Sequence, residues 1–253
     1  MSAEIERSTP PPSLLVRYGV FLFRTRDAVF PTVIFALLFA FRPEYPFGSR
    51  AFDGWVDALG IGVALAGQAL RATVIGYAYI IRGGRNRRVY ADLLVMEGFF
   101  AHARNPLYVG NMLILAGLFL IWNSRWVYLI GVPFFALGYS AIVAAEEAFL
   151  RDKFGDEYER YCARVNRWIP DFRGITRTLA SMDFNWRRVI LKEYGSSAYW
   201  MAGAVVLVAL DGRDVKGVAA EAEWLWWLLI PVAIGWATVR WAKKTRRLRE
   251  TAA

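Results

Sequence analysis

Six stretches of the chain are apolar enough, or nearly so, to be interpreted as membrane-spanning helices. A helix needs about 20 mostly apolar residues to cross the hydrocarbon, because each residue advances it by about 1.5 Å. The predicted spans run from about Ala28 to Phe41, Trp55 to Ile81, Leu107 to Trp122, Trp126 to Leu150, Ala198 to Leu210 and Trp224 to Trp241. The third and fourth spans are separated by only Asn123-Ser124-Arg125, which predicts an antiparallel helical hairpin. The pattern therefore predicts an all-α, polytopic membrane helix bundle of about six spans.

Two segments combine apolar with charged residues and fit a membrane span less well. The first span is short unless it also includes residues 14–23, which Arg17, Arg24 and Arg26 make look interfacial. Residues 171–196 mix basic and aromatic side chains, which predicts a surface helix or loop on the cytoplasmic face. The alternative for this second segment is a solvated connector that is attracted to anionic lipid.

Basic residues are distributed unevenly between the two sets of connections. Most of the 31 Lys and Arg residues lie before the first span, between the second and third, between the fourth and fifth, and after the sixth. Under the positive-inside rule, this distribution predicts that both termini and both long polar connections are cytoplasmic. Arg71 is an exception, because it lies inside the second predicted span.

The composition supports a membrane protein and excludes several kinds of chemistry. The chain is 57% hydrophobic, above the roughly 45–50% of soluble domains. Its net charge of +9 follows the predicted topology, so no nucleic-acid partner is expected. Cys162 is the only cysteine, which excludes Cys-based zinc and iron–sulfur frameworks, and no metal is expected. His102, the only histidine, is expected to be a loop residue.

One candidate motif is found where a polar loop leads into the third predicted span. It covers residues 94–111, with Pro106 in the first helical turn and Asn105 as a plausible N-cap. The predicted topology puts this motif on the cytoplasmic side.

Two further motifs follow on the same side. Glu146 and Glu147 lie in an apolar run near the end of the fourth span, where carboxylates usually face a cavity or a partner. Successive helical positions point about 100° apart, so the two carboxylates are not expected to line one pocket. Residues 154–170 form a predicted amphipathic cytoplasmic helix with Tyr158 and Tyr161 on one side.

In this order the motifs resemble the isoprenylcysteine carboxyl methyltransferase and phospholipid methyltransferase family of integral membrane methyltransferases. The family pattern is a Gly-aromatic turn, Arg-His/Asn-Pro-x-Tyr-x-Gly, a helical hairpin, Glu-Glu, Phe-Gly-x-x-Tyr-x-x-Tyr and a terminal Ile/Leu-Pro. The corresponding residues are Gly98-Phe99, Arg104-Asn105-Pro106-Leu107-Tyr108-Val109-Gly110, Glu146-Glu147, Phe154-Gly155-Asp156-Glu157-Tyr158-Glu159-Arg160-Tyr161 and Ile169-Pro170. The resemblance covers residues 69–170, which predicts a methyltransferase core there. An N-terminal part, 1–68, and a C-terminal part, 171–253, with a cytoplasmic connector and two further spans, flank it.

The resemblance implies S-adenosylmethionine as the cofactor, in a cytoplasmic pocket between the loop and the hairpin. The implied cofactor-binding residues are Leu94, Val95, Gly98, Phe99, Arg104, Asn105, Pro106, Tyr108, Gly110, Asn111 and Glu146. Arg104 could pair with the cofactor carboxylate, and Glu146 could hold its ammonium or ribose. Gly98 and Gly110 would let the backbone approach the ligand closely. Methyl transfer from a sulfonium requires alignment and exclusion of water, but neither a metal nor a protein nucleophile.

The resemblance also implies a lipid-soluble acceptor that enters laterally between helices. A phospholipid amine is the first choice, and the carboxylate of a prenylcysteine or another amphipathic metabolite is the alternative. An amine must lose a proton, so Glu146 or Glu147 is expected to act as general base, and Arg104 completes the predicted catalytic set. The predicted substrate-binding residues are Arg71, Tyr158 and Tyr161.

Two positions depart from the carboxyl methyltransferase branch and leave the acceptor open. Asn105 stands where that branch commonly has His, and Ile142 stands one turn before Glu146 where an Arg would clamp a substrate carboxylate. For Arg71 three interpretations stay open: a functional charge inside the membrane, snorkelling to the interface, or an ion pair with Glu146 or Glu147.

Two alternatives from other functional classes also fit parts of the pattern. A non-catalytic membrane scaffold could retain the core and use the added helices for a partner. A membrane reductase would need a nicotinamide cofactor, and the chain has no Gly-x-Gly-x-x-Gly motif. The oligomeric state and the number of methyl groups transferred do not follow from these residues.

Overall fold

The computed structural model describes residues 12–77, 89–214, 223–245 and 247–248, and this part of the chain is almost entirely helical. Its eight α-helices are α1 (Leu14–Ala40), α2 (Arg50–Tyr77), α3 (Pro106–Trp122), α4 (Val132–Phe154), α5 (Asp156–Arg164), α6 (Ile175–Ala180), α7 (Trp186–Asp214) and α8 (Leu229–Lys244). Short 3-10 turns cover Pro46–Gly48, Gly98–Ala101 and Glu223–Leu228, and a π-helical turn, Val127–Gly131, leads into α4. The described residues contain no strand, which confirms the predicted all-α class.

Three helical stretches among the described residues are long and apolar enough to cross a membrane. They are Phe52–Tyr77, Val127–Phe154 and Leu225–Lys244, while Pro106–Trp122 is apolar but shorter. Helices α1 and α7 contain 27 and 29 residues but do not reach the same apolar character over 18 successive residues. Length and composition therefore support a membrane helix bundle, and they support three of the six predicted spans directly.

Helix α1 is longer than the predicted first span and begins at Leu14, not at Ala28. Residues 14–23, which Arg17, Arg24 and Arg26 made look interfacial, continue the same helix, so the first helix includes them. One of these arginines packs inside the bundle: the Arg26 guanidinium lies 4.5 Å from the centroid of the Phe23 ring, and it donates to Tyr108. Arg17 and Arg24 are exposed.

Helix α7 also extends further than predicted, and it absorbs the end of the segment interpreted as a surface connector. It begins at Trp186, and both Arg188 and Glu193 in its first turns are buried. The prediction of a surface helix or loop was therefore wrong from residue 186 onward. Polar residues enter the bundle here because Glu193 finds a buried ionic partner in α2. Helix α6, earlier in the segment, has no buried residue and fits the surface prediction.

Helices α2 and α3 pack closely through two pairs of facing glycines. A Cβ atom on Gly67 would lie 2.6 Å from the carbonyl oxygen of Gly110, and one on Gly117 would lie 2.4 Å from that of Gly60. Both distances are too short for any side chain, so the two backbones touch directly. Small residues at such positions are typical of helix contacts inside membranes, where close packing replaces the hydrophobic effect. This contact aligns α2 antiparallel to α3 and brings the Arg71 side chain against Gly110.

An aromatic cluster joins α1 to α4. The Phe30 ring lies edge-on to those of Phe135 and Tyr139, with centroid distances of 5.1 and 5.2 Å. On the outside of the bundle, by contrast, Phe39 is 95% exposed and Trp55 is 76% exposed. Large apolar side chains that face outward from a helix bundle indicate a lipid environment.

The turn that closes the predicted hairpin lies at one end of the bundle. Asn123 adopts a left-handed conformation, with φ of 41°, directly after α3, and helical structure resumes before the π-helical turn. The Trp122 indole donates to the carbonyl oxygen of Phe41 at 2.8 Å at this same end. The antiparallel hairpin of the third and fourth spans is therefore confirmed.

The two long polar connections meet at the opposite end of the bundle. The Arg104 amide donates to the Asn166 carbonyl oxygen at 2.9 Å, and the Asn185 amide donates to that of Gly76 at 3.0 Å. The connections that the charge pattern assigned to one side thus lie together. Part of that pattern lies outside the described residues, namely Arg7, Arg82, Arg85, Arg87, Arg88, Lys216, Arg246 and Arg249.

Candidate active site

The loop before α3 is fixed to the segment after α5 by paired backbone contacts. The Asp171 amide donates to the His102 carbonyl oxygen at 2.9 Å, in addition to the contact between Arg104 and Asn166. Gly98 begins the 3-10 turn with φ of 64°, a conformation that side chains rarely adopt. A Cβ atom there would lie 3.1 Å from the Met182 sulfur, so Gly98 meets another side chain closely.

The predicted cofactor-binding residues of the loop differ in burial. Phe99 is buried, whereas Leu94 and Val95 are half-buried. Asn105 precedes α3 and Pro106 occupies its first turn, as predicted. The Asn105 side chain makes no capping hydrogen bond to the helix, however; its amide donates to the Arg167 carbonyl oxygen at 3.2 Å.

Glu147 is the centre of a buried ionic cluster. Its side chain is only 2% exposed, and its carboxylate lies 3.2 Å from Nη1 of Arg104. Nε of Arg167 donates to the same carboxylate at 3.0 Å, and Arg151, one turn along α4, lies 3.9 Å away. Two close guanidinium groups compensate the charge, which a single buried carboxylate requires.

Arg104 also contacts the amphipathic helix α5. Its Nη1 donates to Sγ of Cys162 at 2.9 Å. Burial lowers the pKa of the Arg104 guanidinium, but Glu147, Cys162 and Tyr158 outweigh this effect, so the pKa stands above its ordinary value. The Arg104 Nε atom is buried and has no hydrogen-bond partner among the described residues.

Tyr158 and Tyr161 both point inward from α5. Their ring centroids lie 6.0 Å apart, and the Tyr161 hydroxyl donates to the Phe100 carbonyl oxygen at 2.7 Å. Burial, with a contribution from Glu147, raises the pKa of both phenols well above the ordinary value, so both stay protonated at neutral pH. The structure thus places these two predicted substrate-binding residues in the same cluster as Arg104 and Glu147.

Glu146 faces a different part of the bundle from Glu147, as the helical spacing predicted. The Tyr108 hydroxyl donates to Oε1 of Glu146 at 2.6 Å and accepts from Nη1 of Arg26 at 3.1 Å. Tyr108 also lies against Tyr139, with ring centroids 5.7 Å apart. A chain of polar groups therefore connects α1, α3 and α4 within the bundle.

Arg71 forms a third polar group, centred on α2. Its Nε and Nη2 atoms each donate to Glu193 at 2.8 Å, and its Nη1 donates to Oδ1 of Asn111. The predicted pairing of Arg71 with Glu146 or Glu147 was wrong, because Glu193 takes that place. Snorkelling is also contradicted, since the Arg71 side chain is only 3% exposed.

Gly110 belongs to the helix contact. A Cβ atom there would lie 2.5 Å from Cγ of Arg71 and 2.9 Å from the Gly67 carbonyl oxygen. The close approach predicted for Gly110 is therefore made by α2 in this structure, which leaves no room for a side chain at this position.

Three residues of these clusters did not emerge from the sequence, namely Arg26, Arg167 and Glu193. Arg26 was noted only as a charge that weakened the first span. A usable signal existed for Glu193: it is a carboxylate at the start of an apolar run, in the same way as Glu146 and Glu147 are carboxylates near the end of one. For Arg167 the signal was weaker, because it lies among several exposed arginines.

A polar cleft of about 450 Å³ lies on the surface near His102. Its lining includes Arg164, Arg173 and Arg177, and none of the predicted site residues is part of it. His102 itself is buried, with Nε2 2.9 Å from the Thr178 hydroxyl and Nδ1 2.5 Å from the Asp171 carbonyl oxygen. These contacts give the histidine a structural place in the loop.

Three carboxylates come together elsewhere, on α2 and α7. Oxygen atoms of Asp53, Asp57 and Asp211 all lie within 4.8 Å of one another, a spacing that a metal ion could use. Each of the three also interacts with other groups of the chain. These three carboxylates therefore belong to the contact between α2 and α7, and none of them is part of the sequence motifs described above.

Comparison with known proteins adds a family match. Residues 58–157 match the family described as phospholipid methyltransferase. Cobalt-zinc-cadmium resistance protein CzcN of Cupriavidus metallidurans is 33% identical over 153 residues, which cover 59% of this chain and 66% of that protein. Protein-S-isoprenylcysteine O-methyltransferase of Schizosaccharomyces pombe is 31% identical over 123 residues, or 44% of this chain and 48% of that protein.

Protein-S-isoprenylcysteine O-methyltransferase B of Arabidopsis thaliana is 28% identical over 131 residues, which cover 46% of this chain and 60% of that protein. The chain thus spans between 48% and 66% of the length of these three relatives. No solved structure matches the chain. The family match covers α3, α4 and most of α2, and it ends before α7.

Proposed function

We propose that this chain, which belongs to the phospholipid methyltransferase family of integral membrane methyltransferases, transfers a methyl group from S-adenosylmethionine to a lipid-soluble acceptor. The observation that carries the proposal is the polar surface formed by Tyr108, Asn111 and Glu146 between helices of the family core. Tyr108 and Asn111 are three residues apart on α3 and so share one side of that helix. Tyr108 also contacts Glu146 on α4 at 2.6 Å. Such groups are costly in a membrane interior unless they serve a ligand or a partner.

The residues present fit S-adenosylmethionine, which supplies an activated methyl group on a sulfonium when it is bound. The buried Nε of Arg104 has no partner among the described residues, so it is a suitable donor for the cofactor carboxylate. Asn111 and Glu146 offer an amide and a carboxylate for its polar atoms, and the buried Phe99 offers an aromatic wall for its adenine. Leu94, Val95 and Asn105 would complete the loop side of the pocket.

Glu146 is a better candidate for the general base than Glu147. Arg104 and Arg167 both lie within 3.2 Å of the Glu147 carboxylate, so its oxygens are already engaged by guanidinium donors. Glu146 instead accepts from a neutral hydroxyl, that of Tyr108, and its other carboxylate oxygen can receive a proton from an acceptor amine. In this proposal Glu147 orients Arg104, and Tyr158 and Tyr161 support the same wall of the pocket.

The first candidate for the acceptor is a phospholipid amine, which needs a base of this kind. The carboxylate of a prenylcysteine is the second candidate, and one observation favours it: Arg26 reaches the Tyr108–Glu146 pair from α1. Arg26 could bind a substrate carboxylate in place of the arginine that is missing at Ile142. The names of two relatives, which are isoprenylcysteine methyltransferases, agree with this second candidate.

The test is methyl transfer from labelled cofactor to defined acceptors in membranes that contain the purified chain. We expect label in phosphatidylethanolamine derivatives, and we expect the Glu146→Gln variant to abolish it. Label in a prenylcysteine ester, sensitive to Arg26→Gln, would select the second acceptor. Unchanged cofactor affinity in both Arg104→Ala and Glu146→Ala would instead support the scaffold alternative.

The proposed orientation has both termini and the active site in the cytoplasm. The grouping of the two long connections at one end of the bundle supports it, since both carry many basic residues. Reporter fusions to the C-terminus and to the turn near Asn123 test the orientation. We expect a cytoplasmic signal from the first fusion and an external signal from the second.

A further inference from the structure

The ion pair between Arg71 and Glu193 connects the family core to a helix outside it. Two guanidinium nitrogens donate to the two carboxylate oxygens at 2.8 Å each, and each side chain is 3% exposed. Glu193 lies on α7, beyond the residues 58–157 that match the family. A paired geometry of this kind restricts both the position and the plane of the guanidinium group.

Two neighbouring side chains extend this contact along the α2–α7 interface. The Gln68 amide donates to Glu193 at 3.1 Å, and its oxygen accepts from the Trp200 indole at 2.8 Å. The Glu193 carboxylate therefore accepts from two side chains of α2, Arg71 and Gln68, and α7 is fixed against α2 at the level of Arg71.

The third contact of Arg71 determines how Asn111 is oriented. A guanidinium group only donates hydrogen bonds, so the Asn111 oxygen must face Arg71. The two N–H donors of the Asn111 amide must then point away from Arg71. Asn111 lies three residues after Tyr108 on α3, so both residues share the side of α3 that carries the Tyr108–Glu146 pair.

We infer that Glu193 is a positioning residue: through Arg71 it holds the Asn111 amide with its donors directed at the bound cofactor. This inference rests on the proposed function. Arg71 then acts indirectly, because its three donating nitrogens are committed to Glu193 and Asn111. Helix α7 becomes part of the active site although it lies outside the family match, and the C-terminal region gains a specific role.

The experiment measures the affinity for S-adenosylhomocysteine by calorimetry, on the full-length chain in lipid nanodiscs. The set comprises the wild type, Glu193→Gln, Asn111→Ala and the double variant. We expect Glu193→Gln to weaken binding by about tenfold, in keeping with the loss of one hydrogen bond to a charged group. In the Asn111→Ala background the same substitution should change affinity less than twofold, because its effect passes through Asn111.

A general loosening of the helices would give a different result. It would weaken binding equally in both backgrounds, and that outcome would overturn the inference. Trp200→Phe is the matched control: it removes a hydrogen bond from the same interface without touching Arg71, so affinity should stay unchanged. If Glu193→Gln does not fold, Glu193→Asp keeps the charge on a shorter side chain, and we expect about threefold weaker binding.

Two further outcomes are distinguishable. Normal affinity in Glu193→Gln, alongside a wild type that binds, overturns the positioning role and leaves the proposed function intact. A wild-type chain that binds no S-adenosylhomocysteine overturns the proposed function and this inference with it.

Discussion

The Tyr108 hydroxyl links Arg26 on α1 to Glu146 on α4, accepting from the first at 3.1 Å and donating to the second at 2.6 Å. The direction of this chain is fixed, since an arginine can only donate and the hydroxyl has one proton to give. Tyr108 therefore controls which oxygen of Glu146 remains available. The proposed base depends on a neighbour that the sequence suggested only as a cofactor-binding residue.

Replacing Tyr108 with phenylalanine should lower the rate of methyl transfer by about tenfold to 100-fold, because the Glu146 carboxylate loses the donor that orients it. The measurement is kcat for label transfer from S-adenosylmethionine. Tyr128→Phe is the control: it removes a hydroxyl that donates to Asn123 at 3.0 Å, next to the turn between α3 and α4. Equal rates in Tyr108→Phe and the wild type would contradict the role given to this hydroxyl.

Local pattern predicted those features that depend on residues near each other in sequence. The separation of Glu146 from Glu147 followed from helical geometry alone, and the hairpin turn at Asn123 followed from the three polar residues between two apolar runs. The overall helical class followed from the apolar runs themselves. The clustering of the two polar connections followed from the positive-inside rule.

The pairs that join distant segments could not be predicted in this way. Arg71 and Glu193 are 122 positions apart, and nothing in the spacing of either residue indicates the other. The first and fifth spans were predicted too short for the same reason, namely that contacts between distant segments were not visible in the sequence. Arg26 made the start of α1 look interfacial, yet it has a hydrogen-bond partner on α3. Glu193, which the sequence did not single out, has an ionic partner on α2. Such pairing allows a charged residue inside a helix that packs in the bundle.

Replacing Glu147 with glutamine should destabilise the protein, because Arg104 and Arg167 would lose the carboxylate that compensates them. Breaking a buried pair typically costs about 3–5 kcal/mol, and the cost here should fall at about 3 kcal/mol because Arg167 is partly exposed. The measurement is the denaturant dependence of unfolding in detergent. The control is Glu159→Gln, whose partner Arg151 lies at the surface 2.7 Å away, with an expected cost below about 1 kcal/mol. A similar loss of unfolding free energy in both variants would contradict the claim that the buried cluster around Glu147 stabilises the protein more than a surface ion pair does.

The glycine contact between α2 and α3 makes a prediction about two glycines on the same helix. Gly67→Ala should lower the melting temperature and weaken cofactor binding, because its Cβ would lie 2.6 Å from the Gly110 carbonyl oxygen and push α3 away. Gly62→Ala meets nothing within 4 Å and should be neutral or slightly stabilising, since alanine favours helix by up to about 1 kcal/mol over glycine. The measurement is the melting temperature of each variant, together with its affinity for the cofactor. A stable Gly67→Ala variant with normal binding would show that the two helices can separate without cost.

Tyr161 gives the protein a specific alkaline sensitivity. Its pKa is raised by burial, so the folded state holds the phenolic proton more tightly than the unfolded state does. The resulting stabilisation is fully present below the ordinary tyrosine pKa of about 10 and is lost as pH rises beyond it.

At pH 7, Tyr161→Phe should be less stable by about 1 kcal/mol, since the hydrogen bond to the Phe100 carbonyl is lost. Above pH 10 the stability difference between wild type and Tyr161→Phe should narrow. The unfolded wild type then loses its phenolic proton while the folded wild type keeps it, which lowers the stability of the wild type only. Unfolding curves at pH 7, 9, 10 and 11 measure the effect, with Tyr199→Phe as a control at an exposed tyrosine. A stability difference that stays constant up to pH 11 would contradict the buried, protonated state assigned to Tyr161.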